Sequence, residues 1–227
     1  IVDADDEKVQ LVLNDVTISN ESSAAIYVKS ADKVFITLAA GTNNSLSTTG
    51  QYEAIDDNNI DAVIYAKDDI VFNGNGSLKI YSPYGHGIVG KDDVKITSGT
   101  YDITAISSGI NAKDSLRICD GTFKIDAGTD CLHSANDEDD TLGYIYISGG
   151  TFDLTAGSDA IDGMSTVQID AGTFIINAED DAIHCDESTV INGGNINIKK
   201  SYEGIEGTNV VINDGEINIV ASDDGIN

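Results

Sequence analysis

The chain has 227 residues, enough for one sizeable domain, and its 12 basic residues against 39 acidic ones leave a net charge of −27. Such a balance excludes nucleic acid, whose phosphates would repel it, and an anionic membrane surface for the same reason. No run of 18 apolar residues is present, so no membrane insertion is expected, and three cysteines cannot build a disulfide framework.

The chain opens abruptly at Ile1 with no signal peptide, as a mature or trimmed protein would. Faint repeat units come first, SAAIYVK at 23–29 and DAVIYAK at 61–67. From Gly76 onward the repeat is plain. GSLKIY, GTYDIT, GTFKID, GTFDLT, GTFIIN, GNINIK and GEINIV begin at Gly76, Gly99, Gly121, Gly150, Gly172, Gly194 and Gly215, steps of 23, 22, 29, 22, 22 and 21 residues. Each is preceded by a short apolar–polar segment, as in VKITSG at 94–99, LRICDG at 116–121 and VQIDAG at 167–172. Ahead of that stands a third segment with a small residue and then Ile or a relative: HGIVGK at 86–91, SGINAK at 108–113, DCLHSA at 130–135, DAIDGM at 159–164, DAIHCD at 181–186 and EGIEGT at 203–208. The one long step holds an acidic insertion loop at 135–141.

All three segments alternate with period 2, as strands do. Three short strands per turn of near-constant length predict an all-β solenoid: a right-handed, single-stranded parallel β-helix over 1–227, of about ten coils of roughly 22 residues. Stacked at about 4.8 Å, the coils would make a rod about 45 Å long. Tyr101, Phe123, Phe152 and Phe174 should stack in one inward column, and Ile103, Ile125, Leu154 and Ile176 in the next.

Function should lie on outward columns. The residue before the small residue reads Asp61, His86, Ser108, Asp130, Asp159, Asp181, Glu203 and Asp224 from coil to coil. Two residues past the small residue the column reads Val89, Asn111, His133, Asp162, His184, Glu206 and Asn227, with Asp180, Asp186 and Asp223 alongside. Two carboxylates about 4.8 Å apart repel by about 3.5 kcal/mol at an effective dielectric of 20, and by under about 1 kcal/mol in bulk water. Such a column persists if its acids splay into water or if cations bridge them. Ca²⁺, which takes 6–8 oxygens at about 2.3–2.6 Å, is the expected cation. Asn136, Asp137 and Asp139 of the insertion loop stand ready to fold back over Asp130 and His133 and close such a site, unless the loop is simply solvated.

His133 and His184 lie two coils apart, about 10 Å, too far to share one zinc ion, and are expected to hydrogen-bond to neighbouring acids. Lys29, Lys67, Lys91 and Lys113 form a lysine column that either supplies a proton-abstracting base or neutralises the adjacent acids. Cys131 and Cys185 fall in small-residue and inward columns and are read as packing groups.

The combination of GTFDLTAGSDAID, GTFIINAEDDAIH, GYIYISGGTF after an acidic loop, and the terminal DDGIN resembles a family of bacterial surface proteins known as carbohydrate-binding-domain-containing proteins, similar in fold to the family 9 pectate lyases. The likeness runs from Val9 to Asn227. It implies a β-helix with bound calcium, secretion or cell-surface display, and binding of plant cell-wall polysaccharide, including cellulose and acidic pectic chains such as polygalacturonate. It would put calcium near Asp130, Asp159 and Asp181. A lyase needs Ca²⁺ and a base lysine side by side, and here the positions after Lys113 are Ala135, Met164, Asp186 and Thr208, which favours binding over catalysis. With no tryptophan, sugar stacking would fall to Tyr84, Tyr144, Tyr146 and Tyr202, with His133 and His184 as further carbohydrate-binding residues. A calcium-dependent polysaccharide lyase and a purely structural or adhesive surface rod are the alternatives.

Overall fold

A computed structural model describes all residues, 1–227. Every regular element is a strand, and every strand pairing is parallel. The strands form three long sheets of eight, nine and nine members, and the chain visits first, second and third sheet in turn before climbing to the next coil. This is a parallel β-helix. It has nine coils rather than the expected ten, because two excursions take up residues that would otherwise make a turn. One is the acidic insertion after Ser134. The other, residues 49–61, lies between the third-sheet strand Asn43–Thr48 and the first-sheet strand Ala62–Ala66.

Side-chain register follows from the period-2 pattern. Tyr101, Phe123, Phe152 and Phe174 occupy one ladder position in successive coils and are 0–1% exposed. Their rings stack nearly parallel, with centroids 5.0, 4.8 and 4.5 Å apart. Ile103, Ile125, Leu154 and Ile176 form the next inward column. A lone coil could not bury these faces, whereas each coil in the stack covers its neighbour.

The glycine that opens each GT(F/Y) segment makes the corner between the second and third sheets. Gly121, Gly150 and Gly172 have φ of +141°, +115° and +133°, a region that L side chains rarely adopt. A Cβ at Gly172 would also stand 2.8 Å from a ring carbon of Phe174. Backbone turn and aromatic stack therefore demand the same residue. Cys131 and Cys185 are buried in their columns, and burial raises both thiols' pKa, Cys131 the more strongly.

The 49–61 excursion lies across the outer side of the first sheet over three coils. Ile60 packs there with Ala24, Tyr27, Ala62, Tyr65 and Val89 in a small second core. One outward column is thus apolar and covered at its start and polar and open after Val89.

Candidate functional site

Two adjacent columns on the first sheet hold most of the candidate residues. Asp130, Asp159, Asp181 and Glu203 stand at the corner where each coil enters that sheet. The side chain in one coil accepts a hydrogen bond from the backbone N–H at the equivalent place in the next. Asp159 N donates to Asp130 Oδ1 at 3.3 Å, Asp181 N to Asp159 Oδ1 at 2.7 Å and Glu203 N to Asp181 Oδ1 at 3.1 Å. Ser108 N donates to His86 Nδ1 at 3.1 Å in the same way. One oxygen of each aspartate therefore ties coils together; the other accepts from Ser108 Oγ at 3.4 Å in Asp130 and from Ser158 Oγ at 3.5 Å in Asp159.

The second column runs Asn111, His133, Asp162 and His184 by strand pairing. Asp162 lies between the two histidines and accepts from both: His133 Nδ1 at 2.7 Å and His184 Nδ1 at 2.8 Å. Burial alone would raise the Asp162 carboxyl, but the two imidazoles hold it far below the usual carboxylate range. The Asp162 hydrogen bond lifts His184 to about 9. His133 is also raised, since Asp162 outweighs the effect of burial. Asp159 is pushed up to about 6, first by burial and then by the charges of Asp162, Asp181 and Asp130. Glu206 is raised to about 7, chiefly because it shares a hydrogen bond with Asp181.

These shifts predict the pH response of the protein in chelator. His184 is raised above its unfolded value near 6.5, so its stabilising contribution is complete below that pH and lost as pH rises through about 9. Asp159 is also raised, from near 3.8, so stability associated with its neutral form disappears as pH rises through about 6. Asp162 acts in the opposite sense at the acid end, where its contribution is lost as pH falls below about 4. Stability should therefore decline from about pH 4 to about pH 9, Asp159 contributing up to about pH 6 and His184 above about pH 6.5, by about 2 kcal/mol in all once screening at these partly exposed groups is allowed for. Calorimetry across that range checks it; His184→Gln should flatten the upper half of the decline, and an equally steep slope in that variant would contradict the assignment.

Four groups of side chains bring ligand atoms within 4.8 Å of one another: Asp130–His133–Asp162, Asp159–Asp162–His184, Asp159–Asp180–Asp181 and Asp181–Glu203–Glu206. Two oxygens on one Ca²⁺ can be no more than about 5 Å apart, twice the bond length, so this spacing fits. The last two groups contain only carboxylates, the donor set a hard cation takes. In the first two the histidine Nδ1 is already committed to Asp162. The oxygen-only groups are therefore the better fit, and they lie toward the C-terminal end of the column.

The other expected residues are more scattered. Asp137 and Asp186 join His133, Asp162 and His184 around a shallow cleft of about 170 Å³. Asn136 is buried and serves the loop itself: its Oδ1 accepts from the backbone of Glu138 and Asp139, and its Nδ2 donates to Asp114. Asp139 accepts from Thr141. Asp223 and Asp224 are exposed in the last coil and belong to no such group; the Asp223 carboxylate raises the Tyr202 hydroxyl through a hydrogen bond. The four tyrosines do not make one platform. Tyr144 and Tyr146 are on the second sheet, with the Tyr146 hydroxyl donating to Asp170 at 2.6 Å. Tyr84 and Tyr202 share a corner but are five coils, about 24 Å, apart. Glu203 and Glu206 were missed as ligand candidates, although EGIEGT places them in register with Asp181 and His184.

The carbohydrate-binding domain-containing proteins match the chain over residues 1–227. The chain belongs to that family. A relative of the same description from Acetivibrio thermocellus is 45% identical over 97 residues, which are 42% of this chain and 34% of that protein. The chain thus spans about a third of the length of the curated relative it matches. A solved structure of a polysaccharide lyase-like protein from C. thermocellum, a gadolinium derivative, superposes with a TM-score of 0.73 at 34% identity, covering 94% of this chain and 79% of that one. No helix is long and apolar enough to cross a membrane.

Proposed function

We propose that this member of the family is a calcium-loaded, extracellular polysaccharide-binding module, non-catalytic, with cellulose and acidic pectic chains of the plant cell wall as its ligands. The observation that carries the reading is the register that brings the oxygens of Asp159, Asp180, Asp181, Glu203 and Glu206 within 4.8 Å in two all-carboxylate groups. The structural relative was solved with gadolinium, itself a hard, oxygen-seeking cation. A bound Ca²⁺ would reverse the local sign of a strongly negative surface and leave open coordination positions for a uronate carboxylate.

Two lysines of the column, Lys29 and Lys113, support a non-catalytic role. A base lysine needs a lowered pKa, yet Lys29 and Lys113 are raised by hydrogen bonds to Asp3 and Glu138. A second reading, a lyase acting by β-elimination, draws on the lyase-like relative. It predicts ultraviolet absorbance from an unsaturated product when polygalacturonate is incubated with Ca²⁺ at alkaline pH.

Ca²⁺ should raise the melting temperature by mass action, since the folded chain assembles the site and the unfolded chain does not; Mg²⁺, more demanding of octahedral geometry, should do less. Retention on polygalacturonate should need Ca²⁺ and should fall in Asp159→Asn/Asp181→Asn, substitutions that keep an oxygen for the N–H of the next coil. An unchanged melting curve from chelator to millimolar Ca²⁺, or equal retention in chelator, would overturn the metal-linked reading. No retention on any glycan would leave a structural rod.

A further inference from the structure

The 49–61 excursion and the turn at Tyr84 enclose a cleft of about 350 Å³ on the corner leading into the first sheet, lined by Gln51, Tyr52, Glu53, Asn59, Asp61 and Tyr84 among others. We propose that this cleft binds one neutral pyranosyl unit of a glycan without a cation. The proposal rests on the carbohydrate-binding reading of the chain and not on calcium.

The cleft is preformed. Asn58 fastens the excursion, donating from Nδ2 to the Tyr27 hydroxyl at 2.8 Å and to Asp56 Oδ1 at 3.0 Å, while Tyr27 donates to Asp56 at 2.6 Å. Ile60 anchors it from below in the small second core. Tyr52 forms an inner wall: its hydroxyl pairs with Ser82 at 3.1 Å, and its ring lies so close to Gly85 that a Cβ there would stand 2.7 Å from Cε2. Little ordering is left for a ligand to impose, which favours affinity.

Two groups await a partner. Tyr84 is 50% exposed and its hydroxyl makes no protein hydrogen bond, so an aromatic surface is offered to solvent at the rim. The apolar C–H face of a sugar ring covers such a surface. Asp61 Oδ1 is shut away from solvent with no donor, while its other oxygen accepts from Asn59 Nδ2 at 3.2 Å. A carboxylate oxygen accepts more than one hydrogen bond, so the Asp61 oxygen held by Asn59 keeps acceptor capacity for a sugar hydroxyl in the cleft that Asp61 lines. The lining has two carboxylates, Glu53 and Asp61, and no cationic side chain. A uronate would be repelled, so the ligand is a neutral sugar. The cleft shares no residue with the acidic groups, and Asp61 stands three coils, about 14 Å, before Asp130 in the corner column.

The test is calorimetric titration of the full chain with cellotetraose in chelator, beside tetragalacturonate. Cellotetraose should bind and tetragalacturonate should not. Tyr84→Ala should weaken binding by about tenfold, and Tyr84→Phe should restore it to within about threefold, because the ring and not the hydroxyl makes the contact. Asp61→Asn should also weaken it, with circular dichroism unchanged. Absence of cellotetraose binding in chelator, or binding unaltered in both Tyr84→Ala and Asp61→Asn, would overturn the proposal. If that happened while Ca²⁺-dependent polygalacturonate retention persisted, the cleft alone would have failed. Cellotetraose binding that survives the Asp159→Asn/Asp181→Asn change would support the cleft whatever becomes of the calcium reading.

Discussion

Phe152→Ala should destabilise the protein by about 3–5 kcal/mol, read as a shift of the urea unfolding midpoint at unchanged slope. Phe152 is 1% exposed and sandwiched between Phe123 and Phe174 at centroid distances of 4.8 and 4.5 Å, with interplanar angles of 5° and 2°. The spacing of these rings is fixed by the backbone ladder, so they cannot close over the gap. Neither neighbour can swing inward without breaking register with its own coil. A loss below about 1 kcal/mol would mean that the column relaxes, contrary to the close packing described.

The second large effect concerns Asp162. Asp162→Ala removes the acceptor shared by His133 and His184, both about three-quarters buried. Breaking a buried charged set from one side costs about 3–5 kcal/mol; here, with partial exposure, about 2–3 kcal/mol is expected at pH 6. The His184 pKa should fall from about 9 toward 6.5, visible in an NMR titration of the imidazole. His184→Gln should reproduce only part of the stability loss, because His133 would keep its partner. A variant with unaltered stability and an unmoved His184 would show that the three side chains do not act together.

Much of this was legible in the sequence, for a physical reason. In a β-helix the side-chain period and the coil length fix which residues stack, so the aromatic column and both outward columns follow from counting. What counting does not reach is where the chain leaves the repeat. The 49–61 excursion has no periodicity, and its small core is built on Tyr27 and Tyr65, outward residues of faint repeats. Its trace was the 38-residue step between SAAIYVK and DAVIYAK, too long for one coil. Loop side chains are equally opaque. Asn136 has the composition of a cation ligand, yet its oxygen closes the turn it belongs to. The tyrosines come from different repeat segments, and no composition argument could have placed them on a common face.

The corner column has an evolutionary consequence. Its recurring contact asks only for a short acceptor aimed at the next coil's amide, and His86 Nδ1 satisfies it as Asp130 and Asp159 do. Charge at each level is therefore separable from the stacking that maintains the rod. Drift among aspartate, asparagine and histidine adds, removes or repositions charge one coil at a time while keeping that contact. A scaffold of this kind can be retuned from one ligand chemistry to another in increments of a single strand spacing.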